Sequence, residues 1–546
     1  MLNSSQPTTS RGSKSRPAVS SLMLYVLTAA FILAVHNATF WSRTIAVLGE
    51  HPFSMLAFGI SVFGIALFTV SLLGFRWLQK PVAAGLLILA AVTSYYQDVL
   101  GATIDREMIQ NAMNTTQNEA KHLVSFGFIS HVVLRGVLPA LLVFWVQIKP
   151  SSLWRHAFTW AGTVVLGFSL FLGMILLDFK TLSSVIREHK EIRVAIQPGQ
   201  PIAAAFKYTQ MILRTQNVVV APLGTDAKRS AALVNAGKPA LTVIVVGETA
   251  RAENFSLNGY ARDTNPALKA RSAFYFTDVK SCGTSTAVSM PCMFSNLTSE
   301  GYSYQAGRSN ENLLDVLGHA KIKTIWLDNN TGDLGVAART DSTNLTGSND
   351  PVSCAKGECE DSIFLPELKK IADTMTTDTV VVLHQIGSHG PAYFLRYPPD
   401  FEPFKPACQF AEFAKCSGEE ITNAYDNTIA YTDKFLGDVI DMLQGETKVI
   451  TSMVYLSDHG ESLGEGGLYL HGAPYFMAPS QQTHVPMAMW FSENYKTVFG
   501  LQEACLRGKT GLPLSQDNLF HTALAMAGVE TSARNEELNL LNGCQK

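Results

Sequence analysis

Ala240-Leu-Thr-Val-Ile-Val-Val-Gly-Glu248 is the stretch whose reading decides the fold. A short apolar run rich in β-branched residues, broken only by Thr242 and closed by glycine, predicts a strand buried on both faces. Two further runs have the same character, Thr379-Val-Val-Val-Leu-His384 and Met453-Val-Tyr-Leu-Ser457. Helical periodicity falls between them, over 310–320, 360–375 and 420–444. This alternation predicts an α/β sandwich with a mostly parallel sheet.

Each run ends on chemistry. Glu248 follows the first, His384 closes the second, and Asp458-His459 follows the third within Ser457-Asp-His-Gly-Glu-Ser462. Open α/β sheets bind ligands outside the carboxyl ends of their strands, so three separate segments deliver acids and imidazoles to one edge. Glu248, Asp458 and His459 form a zinc-type donor set with a position left open. Carboxylates alone would equally suit manganese, and the histidine shifts the balance to zinc.

The open position calls for a nucleophile, and Ser281-Cys-Gly-Thr-Ser-Thr-Ala-Val-Ser-Met-Pro-Cys292 offers several hydroxyls ahead of an expected helix. A hydroxyl at a helix N-terminus gains from the positive end of the dipole, which also favours a phosphate. Locally, Thr284, Ser285 or Thr286 could equally be a helix cap. The flanking Cys282 and Cys292 favour a braced loop instead. Further histidines, His389, His471 and His484 beside His384, lie at strand ends or in loops, His389 and His471 each followed by glycine. A second metal site or phosphate-binding imidazoles would look like this.

Eight cysteines all lie beyond residue 280, none in the apolar first third, and the first six fall into close sequential pairs. This spacing suits disulfides 282–292, 354–359 and 408–416, with 505–544 completing the set, in an exported domain.

Upstream, five apolar stretches near 22–41, 53–75, 81–97, 124–146 and 157–177 have the length of bilayer-spanning helices. Arg11, Lys14 and Arg16, then Arg76 and Lys80, then Lys149 and Arg155 mark cytoplasmic segments. An odd number of spans places everything after residue 178 outside the cytoplasm, in agreement with the cysteines. His36 and Arg135, within or beside spans, are candidate functional groups; the alternative is His36 near the outer interface and Arg135 paired inside the bundle. The expected organisation is a five-span membrane domain (1–178), an interfacial helical linker (179–236) and a catalytic domain (237–546). A net charge of −3 without a basic stripe excludes a nucleic-acid partner.

Val246-Gly-Glu-Thr-Ala-Arg251, Asn258-Gly-Tyr260, Ser281 to Cys292, Asp328-Asn-Asn330, His384-Gln-Ile-Gly-Ser-His-Gly-Pro391 and Ser457 to Ser462 together resemble the phosphoethanolamine–lipid A transferases. This family includes the transferable polymyxin-resistance enzymes and lies in the alkaline-phosphatase and sulfatase-like superfamily. The resemblance implies an inner-membrane, multi-pass enzyme of Gram-negative bacteria with a periplasmic catalytic domain. It implies zinc held by Glu248, Thr286, Asp458 and His459, with Thr286 the nucleophile. His389 and His471 would bind substrate phosphate or a second zinc, and Thr284, Asn329 and Glu461 would contact the head group. The donor would be phosphatidylethanolamine and the acceptor lipid A, with membrane lipids around the spans and no obligate protein partner. The family's lysine after the Asp-Asn-Asn segment is Leu334 here, so a phosphate-steering cation is missing there or comes from a residue such as Arg339.

The expected reaction is a two-step transfer through Thr286 that lowers outer-membrane negative charge and confers polymyxin resistance. Its rivals are the same transfer to core oligosaccharide or glucan, a phosphoglycerol transferase, and a membrane-tethered phosphatase or sulfatase. The hydroxyl loop lacks the C/S-x-P-x-R motif of sulfatases.

Overall fold

The computed structural model describes residues 16–216 and 218–545. Arg11 and Lys14, two of the expected cytoplasmic charges, lie outside them. The chain divides into two compact units, one made of 1–98 and 126–202, the other of 99–125 and 203–546.

The first unit is helical. Its spans are α1 (Ser21–Val35) continuing into α2 (Ala38–Leu48), α3 (Pro52–Leu73), α4 (Arg76–Leu100), α5 (Phe126–Trp145) and α6 (Leu153–Leu177). Four are long and apolar enough to cross a membrane, and α1 with α2 makes a fifth if that bent pair is one span. The sequence suggested one continuous first helix, but it turns by 71° at His36-Asn37. Asn37 explains the break. Its amide donates to the Ile32 and Gln197 carbonyls, and its oxygen accepts the Gln197 N–H at 2.8 Å, so the polar groups freed by the turn are satisfied. His36 lies beside it, bonded to Ser94 and to the Arg135 carbonyl. Leucine, phenylalanine and tryptophan side chains stand exposed along α5 and α6, as lipid-facing helices require. α7 (Phe179–Glu188) follows, and α8 (Gly199–Thr215) begins in this unit and continues into the second.

The second unit is an α/β sandwich. The seven strands of its main sheet are β1 (Ala240–Gly247), β2 (Phe274–Phe276), β3 (Lys323–Asp328), β4 (Asp341–Asn344), β5 (Thr379–His384), β6 (Ile450–Ser457) and β7 (Met487–Phe491). They lie in the order β2-β7-β6-β1-β5-β3-β4. The pairs from β6 to β4 are all parallel, and only β7 runs against its neighbours. Every residue of β1, β5 and β6 is buried, which accounts for their unbroken apolar runs. One hydrophobic cluster forms on each face of the sheet: Ile244, Val246 and Val382 point into one, Val243, Val245 and Val381 into the other. All four cysteine pairs are disulfides, 282–292, 354–359, 408–416 and 505–544.

Parallel register fixes the working edge. Val246 and Asp328 each lie opposite His384, and Gly247 lies opposite Ser457. The residues that end β1, β3, β5 and β6 therefore emerge side by side.

Candidate metal centre and nucleophile

Glu248, Asp458 and His459 converge on this edge. Their ligand atoms lie within 4.8 Å of one another, and all three residues are fully buried. Across from them begins α9 (Thr286–Met293). Ser285 stands at its cap position in an extended conformation but makes no side-chain cap bond, so capping does not account for these hydroxyls. Thr286 is the first helical residue. Its hydroxyl lies 3.0 and 3.3 Å from the Glu248 carboxylate oxygens and 3.3 Å from His459 Nε2.

The protonation states suit a cation. The ring nitrogen Nδ1 of His459 lies 2.9 Å from the Gly460 carbonyl, so it carries the proton and leaves the Nε2 lone pair facing the cluster. Burial, reinforced by neighbouring His471, holds His459 well below the ordinary histidine range, hence neutral. Burial pushes the Asp458 carboxyl up to about 6. Asp458 Oδ2 is buried and receives no hydrogen bond among the described residues. Two carboxylates, a neutral imidazole and a hydroxyl, gathered in a dry site around an orphaned oxygen, fit a zinc ion.

The surrounding side chains hold this arrangement. Asn330 donates to Glu248 Oε2 at 2.7 Å and to the Gln385 carbonyl. Gln516, fully buried, accepts the Cys282 N–H at 2.7 Å and donates to the Ser457 and Asp458 carbonyls, which ties the hydroxyl loop to the end of β6. Asp361 accepts from Asn329 Nδ2 and from the backbone N–H groups of Ile386 and Gly387, which joins the ends of β3 and β5. Arg396 donates to the His389 carbonyl and to Glu358. Sequence reasoning assigned a role to none of the four, although Asn330 falls within the Asp328-Asn-Asn330 motif. Asn330 had the clearest signal, since it sits in a polar triplet ending the run Thr324-Ile-Trp-Leu. Gln516 has none, because it acts from a distant segment, and Arg396, although seven residues from His389, lies in no motif.

The other expected site residues separate into groups. His471 lies against His459, the rings tilted by 45° with centroids 4.4 Å apart, and His389 meets His471 edge-on at 5.6 Å. Burial, then the charge of His471 and Arg396, keeps His389 well below its ordinary range. Glu461 lies 3.5 Å from His471 Nδ1, with its Oε1 buried and without a donor among the described residues. The Thr284 hydroxyl is engaged by the Ala473 carbonyl at 2.7 Å, and the Asn329 amide nitrogen by Asp361 and the Cys359 carbonyl. His384 pairs with Asp328 at 2.9 Å, and His484 bonds the Thr277 carbonyl. Leu334 adopts a left-handed backbone (φ 47°) and packs on the core, and Arg339 is committed to Asp315. Neither supplies a cation to the site.

The chain is similar to known proteins over nearly its whole length. Residues 62–212 match the family described as "Phosphoethanolamine transferase EptA/EptB", and residues 240–529 match the sulfatase family. Phosphoethanolamine transferase EptA of Escherichia coli (strain K12) is 37% identical over 97% of this chain and 98% of its own length. Phosphatidylethanolamine transferase Mcr-1, also from E. coli, is 38% identical over 87% of this chain and 90% of its own. Among solved structures, the integral membrane lipooligosaccharide phosphoethanolamine transferase A from Neisseria meningitidis superposes with a TM-score of 0.93 at 32% identity, covering 97% of this chain and all of that one.

Proposed function

The chain belongs to the phosphoethanolamine transferases, and from that premise we propose that it moves phosphoethanolamine from phosphatidylethanolamine to a lipid A phosphate through a covalent intermediate on Thr286. The observation that carries this reading is the Thr286 hydroxyl, at the start of α9 and 3.0 Å from Glu248 within a buried metal-type cluster. A zinc ion held there by Glu248, Asp458, His459 and Thr286 would lower the hydroxyl pKa and offset phosphate charge.

The residues divide the remaining work. Glu248 accepts the Thr286 hydrogen bond and so fixes the direction from which Oγ1 meets phosphorus. As the Oγ1–phosphorus bond forms, the Thr286 hydroxyl proton passes to Glu248, which returns it when Oγ1 later leaves, and the bond to the glycerol oxygen breaks. His471, oriented by Glu461, is the imidazole we assign to hand that oxygen a proton. Diacylglycerol departs and phosphoethanolamine stays on Thr286. A lipid A phosphate oxygen then attacks the same phosphorus and Oγ1 leaves, with His389 and His471 receiving the acceptor phosphate. The first backbone N–H groups of α9 face the phosphoryl group with the positive end of the helix dipole.

We place the spans at 1–98 and 126–178, the linker at 179–236, and the catalytic domain at 237–546 with residues 99–125 added to it, in the inner membrane with the catalytic domain periplasmic. Added ethanolamine would reduce the negative charge that attracts polymyxin. Intact-protein mass spectrometry should find a phosphoethanolamine adduct on the wild type and none on Thr286→Ala, and cells expressing the wild type should yield lipid A heavier by one phosphoethanolamine group. An adduct of unchanged yield on Thr286→Ala sinks the nucleophile; an adduct with unmodified lipid A sinks the acceptor.

A further inference from the structure

The membrane unit holds a cavity of about 350 Å³ that plays no part in the chemistry above. Its size falls in the range of roughly 300–1,000 Å³ typical of small-molecule sites. Its shape follows from its lining. Along α3 the wall is formed by Phe58, Val62, Ile65, Ala66, Thr69 and Val70, whose spacing of three and four makes one stripe of the helix. Phe58 and Val70 are twelve residues apart, so the stripe runs for about 18 Å at 1.5 Å per residue. Phe171 and Ile175, one turn apart on α6, face it from the other side.

The few polar side chains on this stripe do not make the wall polar. Thr69 donates to the Ile65 carbonyl and Ser61 to the Phe171 carbonyl, so both hydroxyls are spent within the bundle. One end differs. Ile192 packs in the same cluster as Phe58 and Val62, and its neighbour Arg193 lines the cavity and is exposed. His189, also on the rim, is committed to Glu191 at 2.7 Å, which leaves Arg193 as the cation for an anionic group.

A long, narrow, apolar slot parallel to a membrane helix, with a guanidinium at one end, suits a linear hydrocarbon chain bearing a phosphate. We propose that this cavity is a phospholipid site, in which one acyl chain lies along α3 and the phosphate meets Arg193. It stands on the membrane unit alone and does not depend on the assignment of donor, acceptor or nucleophile.

The test uses the full-length protein in nanodiscs of phosphatidylethanolamine and phosphatidylglycerol. A phosphatidylethanolamine carrying a diazirine midway along one acyl chain is photolysed, and the adducts are mapped by peptide mass spectrometry. Labelling of Val62, Ile65 and Ile175 should exceed that of outward-facing Phe158 and Leu166 at least tenfold, since the latter meet only exchanging lipid. Equal labelling of the two groups would overturn the proposal. Ala66→Phe, which fills the slot, should abolish the enrichment, and persistence of the pattern in that variant would also overturn it. Arg193→Ala should lower phospholipid labelling several-fold while leaving capture of an uncharged diazirine fatty alcohol unchanged. Equal capture of phospholipid by wild type and Arg193→Ala would overturn the assignment of the phosphate end.

Discussion

Two disulfides in the catalytic unit should separate stability from catalysis. Cys282–Cys292 closes a loop of ten residues around the hydroxyl segment, and Cys505–Cys544 closes one of 39 near the chain end. Loop-closure entropy assigns them about 2.7 and about 3.9 kcal/mol at 25 °C. For a unit of this size those energies lower Tm by roughly 3–5 °C, the longer loop costing more. Function should follow the opposite order. Cys292 sits on α9, whose first residue is Thr286, and Cys282 carries the N–H that Gln516 ties to the end of β6. Replacing both cysteines of that pair by serine frees the loop, and a displacement of about 1 Å at a reacting oxygen costs about a hundredfold in rate. The 505–544 pair packs on the core and bonds none of the site residues named above; Cys544 N–H bonds the Leu541 carbonyl and Gln502 N–H bonds the Cys544 carbonyl. The assay is Tm by fluorescence beside the rate of adduct formation, on each double serine variant purified in detergent. We expect Cys505→Ser/Cys544→Ser to lose the more stability and keep adduct formation within twofold. Cys282→Ser/Cys292→Ser should lose less stability and about a hundredfold in rate. A 282/292 variant with wild-type adduct kinetics would refute the bracing argument.

Asn330→Ala removes the donor 2.7 Å from Glu248 Oε2, a bond to a charged group worth about 1.5–3 kcal/mol, so adduct formation should slow about 10- to 100-fold; unchanged kinetics would remove Asn330 from the site. Burial alone would raise the Glu358 carboxyl, but His122 and Arg396 bring it down to about 2. A carboxyl depressed in the folded state adds stability above its unfolded pKa, and loses it as pH falls through the folded value. Glu358→Gln should therefore flatten the loss of stability between about pH 4.3 and pH 2 seen by acid titration of the wild type; superimposable acid limbs would contradict the pairing. Chelation should abolish adduct formation and lower Tm, with both restored by zinc, because an ion bound only by the folded state stabilises it by mass action; a Tm indifferent to chelator and zinc would refute the ligand set.

What could be read in advance followed the range of the interaction. Strands β1, β5 and β6 announced themselves because both faces are buried, and that burial forces an unbroken apolar run on the sequence. Their terminal residues then had to share an edge, since parallel register leaves no freedom once the strands pair. Strand β3 was harder to see: Lys323, Thr324 and Ile325 are not fully buried, so its apolar pattern is diluted, and its polar triplet was recognised only by resemblance. The hydroxyl segment was visible as a helix start, but local rules could not choose among Thr284, Ser285 and Thr286. Tertiary contacts distinguish two of the three: the Ala473 carbonyl takes the Thr284 hydroxyl, while Glu248 and His459 meet that of Thr286. Gln516 lies 230 residues from Thr286 in sequence, and no periodicity records that its amide bridges two loops. The bend at His36-Asn37 was hidden for a related reason. Its cause is Gln197, which satisfies Asn37 from the far end of the membrane unit, so a window centred on the first span reads only an apolar helix. The residues that do chemistry at strand ends are thus legible from local pattern, whereas those that hold them in place require the fold.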